Sequence, residues 1–140
     1  MRVLLDTNIV IFLLIDIDSL SDDVKGVVFD YDNTLCISVE SLRELIVIYR
    51  NKRLLNKVWK SSDSMIDDLT EKFNILVLPL KEEHMRTYSN LQINDSQEHF
   101  DPSDHVIISH AITERMPLIS SDHKFQFYRN QGLDLIYNIR

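Results

Sequence analysis

Apolar residues fall along this chain in short blocks, and the spacing inside the blocks switches between two periods. Val3-Leu4-Leu5 is a continuous apolar run that stops at Asp6-Thr7-Asn8, after which apolar residues resume from Ile9. A run this short, closed by cap-forming polar residues and followed by a longer apolar stretch, predicts a strand feeding a helix. Residues 19–30 predict a polar helix that ends in the turn-forming Asp30-Tyr31-Asp32-Asn33, and Thr34-Leu35-Cys36-Ile37-Ser38 then predicts a second strand. A helix follows at once. Val39, Leu42, Leu45, Ile46 and Ile48, with Tyr49, fall near helical spacing, while Glu40, Arg43 and Glu44 occupy its polar face.

The alternation continues to the end of the chain. Residues 61–73 predict a helix, 75–78 a third strand stopped by Pro79, and 82–91 another helix. Residues 94–100 form a polar loop, Asp101-Pro102 opens a helix running to about residue 115, and 117–120 predict a fourth strand, with a fifth at 133–137. Strands alternating with helices imply βαβ units. The expected architecture is a three-layer α/β/α sandwich around a central parallel sheet of four to five strands.

Composition narrows this to one domain spanning residues 1–140. Two glycines and three prolines leave little material for a linker, and no repeat or biased tail interrupts the pattern. The longest apolar run, Ile9 to Ile15, is too short to span a bilayer and lacks a basic leader with a small-residue cleavage site, so the expected location is the cytoplasm, away from membranes. The single cysteine, Cys36, has no internal disulfide partner and lies among apolar neighbours, which fits a buried thiol in a reducing compartment.

A net charge of −7 argues against a nucleic-acid partner until its distribution is considered. Arg43, Arg50, Lys52, Arg53, Lys57 and Lys60 concentrate basic charge in one stretch, and Arg43, Arg50, Lys52 and Arg53 are the candidates for phosphate contact. The plainer reading of the same stretch is a solvated helical face.

The acids are more informative. In open α/β sheets, ligands bind beyond the carboxyl ends of the strands. Asp6 directly follows the first predicted strand and Asp122 follows the fourth by two residues. Asp104 lies in the first turn of the helix opened by Pro102, and Glu44 lies about one and a half turns into the helix after the second strand. Each has an ordinary explanation alone: Asp6, Asn8 and Asp122 as helix N-caps, Asp101 as an even better one before Pro102, Glu44 as a solvated acid. Converging together, they would repel one another and raise their own pKa values unless a cation neutralised them. Such oxygen ligands suit Mg2+ or Mn2+, and two such ions support phosphodiester cleavage. No histidine or cysteine spacing supports zinc, because His84, His99, His105, His110 and His123 are scattered.

Four segments then resemble the motifs of VapC-type PIN-domain toxins, the nuclease half of a toxin–antitoxin pair. They are Leu4-Leu5-Asp6-Thr7-Asn8, the segment from Ile37 to Leu45 around Glu44, the segment from Asp101 to Ala111 around Asp104, and Pro117-Leu118-Ile119-Ser120-Ser121-Asp122. The resemblance covers essentially the whole chain. It implies the α/β/α fold, metal-dependent cleavage of RNA by an activated water, a small antitoxin partner and a homodimer. It assigns Asp6, Glu44 and Asp104 as metal-binding acids with Asp122 as the fourth, supported by Asn8 and Ser120. Asp101 is read as a cap, and Glu40, one helical turn before Glu44, stays open as a contributor. Two departures stand out: Ser103 and His105 flank Asp104 where the family commonly has an aromatic and an arginine, and Ser120 stands where it often has threonine.

Two rival readings remain. The segment from Val27 to Leu35 resembles the first motif of haloacid-dehalogenase-type phosphatases, with Asp30 as nucleophile and Asp32 as general acid, which requires residues 27–29 to be the central strand. The other is a non-catalytic PIN-like module that only binds a partner.

Overall fold

The computed structural model describes residues 1–51 and 55–140. Five strands, β1 (Arg2–Leu5), β2 (Thr34–Ser38), β3 (Leu76–Leu78), β4 (Leu118–Ser120) and β5 (Leu135–Tyr137), form one sheet in the order β3-β2-β1-β4-β5, with every pairing parallel. The helices are α1 (Thr7–Ile15), α2 (Asp22–Val28), α3 (Val39–Arg50), α4 (Leu55–Val58), α5 (Ser62–Asp67), α6 (Glu82–Asn90) and α7 (Pro102–Glu114). A π-helical turn (Asp68–Lys72) extends α5, and a 3-10 run (His123–Gln131) joins β4 to β5.

Strand periodicity explains why both sheet faces are covered. Val3 and Leu5 of β1 point to the face where Ile9, Val10, Val24, Leu45, Met65 and Leu69 pack, so α1, α2, α3 and α5 lie there. Leu4 points the other way, with Cys36 and Leu118, into Ile107, Ile108 and Ala111 of α7 and Phe125 and Tyr128 of the 3-10 run. Successive strand residues face opposite sides, and a central strand buried on both reads as a continuous apolar run. All three of Val3, Leu4 and Leu5 are fully buried. The expected three-layer α/β/α sandwich is the observed fold, with five strands.

Several predicted elements shorten at their ends. The helix expected over 19–30 occupies Asp22–Val28, because Ser21 caps it by accepting the Val24 N–H at 3.3 Å. The expected polar loop 94–100 is not loose. Asn94 is buried and its side chain donates to Gln97 Oε1 (2.7 Å) and the Lys124 carbonyl (3.2 Å), which orders a short 3-10 turn at Asp95–Gln97 and pins the segment to the 3-10 run after β4. Cys36 is buried, as its neighbours implied. Among the described residues no helix is long and apolar enough to cross a membrane.

The phosphatase reading does not survive the fold. Residues 27–29 close α2 and the turn after it instead of forming a central strand. Asp30 is exposed and accepts the Asp32 N–H at 2.9 Å in an Asp-initiated turn that leads into β2. Asp30 and Asp32 therefore precede β2, at the amino ends of the strands, where the Met1 amino group donates to the Asp32 carbonyl.

Candidate metal and active site

The strand order runs β1 to β2 to β3 on one side of β1 and β4 to β5 on the other. The strand order therefore reverses between β1 and β4, and the loops leaving these two parallel strands diverge and open a crevice at their carboxyl ends. Asp6 stands immediately after β1, and Ser120 is the last residue of β4.

Asp6 is an N-cap, one of the two readings that sequence left open, and its second oxygen stays at the crevice. One carboxylate oxygen caps α1 by accepting the Thr7 N–H (2.8 Å), and the other accepts the Ser120 hydroxyl (2.8 Å). Ser120 Oγ in turn accepts the Asp122 N–H at 3.1 Å, tying the fourth-motif loop to Asp6. Asp122 caps the 3-10 run through the Lys124 N–H (2.9 Å). Thr7 completes the link to α3, its hydroxyl donating to Glu44 Oε1 at 2.6 Å. Ser38 ends β2 and also caps α3, accepting the Glu40 N–H at 3.1 Å, so strand passes to helix without a loop and Glu44 is carried over the end of the sheet.

Asp101 caps α7 by accepting the Ser103 N–H at 3.0 Å, with Pro102 at the first helical position, and this presents Asp104 from the first turn. Asp6, Glu44, Asp104, Asp122, Asp101, Asn8, Thr7 and Ile48 line one cavity of about 280 Å3. Asn8 lies on this wall, but among the described residues its side chain makes no hydrogen bond to the acids. Glu40 is engaged elsewhere: it accepts from Arg43 Nε (2.9 Å) and from the Ser103 hydroxyl (2.9 Å), bridging α3 to α7. Arg43, at the exposed rim, is therefore paired. Arg50 is exposed at the end of α3, while Lys52 and Arg53 lie outside the described residues.

The electrostatics follow from burial. Asp6 is pushed up to about 7, first by loss of water and then by the Asp104 carboxylate, against the pull of the Ser120 and Thr7 hydrogen bonds. Glu44 is raised by burial, with the Thr7 bond opposing, and Asp104 is raised by burial, opposed by a hydrogen bond from His99. Three neighbouring carboxyls that all resist ionisation make a site that lacks positive charge. The donor set is entirely hard carboxylate oxygen around a space of a few waters, which fits Mg2+ or Mn2+.

Reasoning from sequence missed His99. It is buried, and its Nε2 lies 2.9 Å from Asp104 Oδ2 while its Nδ1 lies 2.9 Å from the Tyr128 hydroxyl. His105, the residue that departs from the family pattern, bonds the His99 carbonyl through Nε2 at 2.8 Å and holds that loop in place. Ser103, the other departure, supplies the tie to Glu40. No spacing signal could have found His99, because its approach to Asp104 depends on the turn at 95–97.

The arrangement defines a class: a parallel α/β protein with an acidic crevice at its topological switch point. The family model for the PIN domain matches residues 3–131, and the chain belongs to that family. No curated protein is significantly similar to it in sequence. Among solved structures, it is similar in fold to VapBC2 from Rickettsia felis bound to a DNA fragment from their promoter (TM-score 0.74, 22% identity, 99% of this chain and 100% of that one). It is also similar to VapBC-1 from nontypeable Haemophilus influenzae (TM-score 0.72, 24% identity, 98% of each chain). A third is DNA-bound VapBC from Salmonella typhimurium (TM-score 0.68, 18% identity, 98% of each).

Proposed function

We propose that the chain is a metal-dependent endoribonuclease and the toxin of a toxin–antitoxin pair. The observation that carries this reading is the convergence of Asp6, Glu44, Asp104 and Asp122 on one cavity, with the first three raised in pKa. Asp6, Glu44 and Asp104 would hold the metal, with Asp122 as the fourth acid. Bound Mg2+ or Mn2+ supplies positive charge and an activated water for attack on a phosphodiester.

The chain's own residues prepare that site. Ser120 and the Thr7 N–H orient Asp6, and the Thr7 hydroxyl holds Glu44 toward the cavity. Arg43 and Arg50, both exposed on α3, are offered as phosphate contacts, and Lys52 and Arg53, outside the described residues, remain candidates from the sequence. The solved structures similar in fold are complexes of toxin–antitoxin systems, which favours an antitoxin partner here; a homodimer and a cytoplasmic location complete the proposal.

The test is cleavage of total RNA by the purified chain after chelation, with Mg2+ or Mn2+ restored. Cleavage is expected to require the metal, to be lost in Asp6→Asn and Asp104→Asn, and to survive in Asp30→Asn. A chain that binds a partner yet neither binds metal nor cleaves RNA would instead be the non-catalytic module.

A further inference from the structure

Two histidine clusters lie apart in the fold, and hydrogen-bond accounting separates them. A neutral imidazole has one N–H and one lone pair. In the cluster between α6 and α7, His84 Nδ1 accepts the Lys81 N–H at 2.8 Å and Nε2 meets Glu114 Oε1 at 2.9 Å, so His84 has no lone pair left for a cation. In the crevice, His99 is held between Tyr128 and Asp104.

The Asn94 N–H can only donate, and it donates to the Tyr128 hydroxyl oxygen at 3.2 Å. Among the described residues the only acceptor that the Tyr128 O–H meets is His99 Nδ1, at 2.9 Å. That leaves the His99 proton on Nε2, where it donates to Asp104 Oδ2 at 2.9 Å. Asn94, Tyr128, His99 and Asp104 thus form one directed chain with every donor used once. Tyr128 is fully buried and His99 nearly so, so neither ring can turn away at low cost. Ligand atoms of His99, Asp104 and Asp122 lie within 4.8 Å of one another, which places the end of this chain inside the acidic crevice.

We propose that His99, held as its Nε2–H tautomer by Tyr128, is a positioning residue that orients Asp104 for metal binding. His99 occupies one lone pair of Asp104 Oδ2, and the carboxylate lone pairs that remain would be free for an ion, as with outer partners of metal ligands. It also explains why a carboxylate among three others stays aimed inward: the hydrogen bond offsets part of the burial and repulsion that disfavour its charge. The inference rests on the reading of Asp104 as a metal ligand.

The experiment is Mn2+ binding, followed by the loss of the free-ion electron paramagnetic resonance signal, together with 15N NMR of the His99 ring. Wild type should bind Mn2+, His99→Leu about 10- to 100-fold more weakly, and His99→Gln, whose amide can still donate toward Asp104, should recover most of the loss. The metal-free wild-type spectrum should show a proton on Nε2 and an accepting Nδ1, and Tyr128→Phe should mix the two tautomers. Undiminished Mn2+ affinity in folded His99→Leu, or a wild-type proton on Nδ1, overturns the proposal alone. Absent binding by wild type, or unchanged binding by Asp104→Asn, overturns it together with the metal-site reading.

Discussion

Asp6 is 5% exposed and faces Asp104, so ionising it in the metal-free protein sets a second negative charge where water screens poorly. A carboxyl whose folded pKa is raised favours the fold while both states are protonated, and that advantage is lost as pH rises and only the unfolded chain ionises. For Asp6 the window runs from 3.8 to about 7, and the loss is on the order of 4 kcal/mol. Urea midpoints of the metal-free protein should fall across this window, and the slope should be shallower in Asp6→Asn. His110 has the opposite sign. Its ring is fully buried with neither nitrogen partnered among the described residues, and burial, then the neighbouring His84, lowers it to about 4 from 6.5. Its neutral form is favoured in the fold, so stability present above 6.5 is lost as pH falls toward 4. His110→Leu removes the orphaned nitrogens and should stabilise the protein by about 1–3 kcal/mol, more at pH 5 than at pH 8. An equal or absent gain at pH 5 would contradict this account.

Among the elements, α7 shows how a cap and a site share one turn. Asp101 and Pro102 were readable as cap and first helical residue, and that placement alone put Asp104 in the first turn, where the helix dipole favours an acid. Asp101→Ala should cost about 1 kcal/mol by denaturant unfolding, whereas Asp101→Ser should retain most of the stability with Mn2+ affinity near wild type. A large loss of Mn2+ affinity in Asp101→Ser would make Asp101 a ligand. Strand β2 and helix α3 were equally legible, since β-favouring residues end at Ser38 and helical spacing begins at Val39. The segment 94–100 was not. Its polar residues carry no period, and its order comes from Asn94 reaching Lys124, a contact 30 residues away.

For the whole molecule, the proposed metal site couples stability to a cation. Saturating Mn2+ at 100 times its dissociation constant should add about 2.7 kcal/mol of stability, visible as a melting temperature several degrees higher. The increase should vanish on chelation and be absent in Asp104→Asn. Sequence by itself determined the strand–helix alternation, the parallel sheet buried on both faces and the four acids at strand ends and helix starts, because these follow from local periodicity and capping. Tertiary structure alone decided which residues surround those acids. Thr7 reaches Glu44, Ser103 reaches Glu40, and His99 lies between Tyr128 and Asp104 only because the strand order reverses between β1 and β4 and distant loops fold over one crevice. Contacts of that kind depend on positions far apart in the chain, for which local spacing carries no signal.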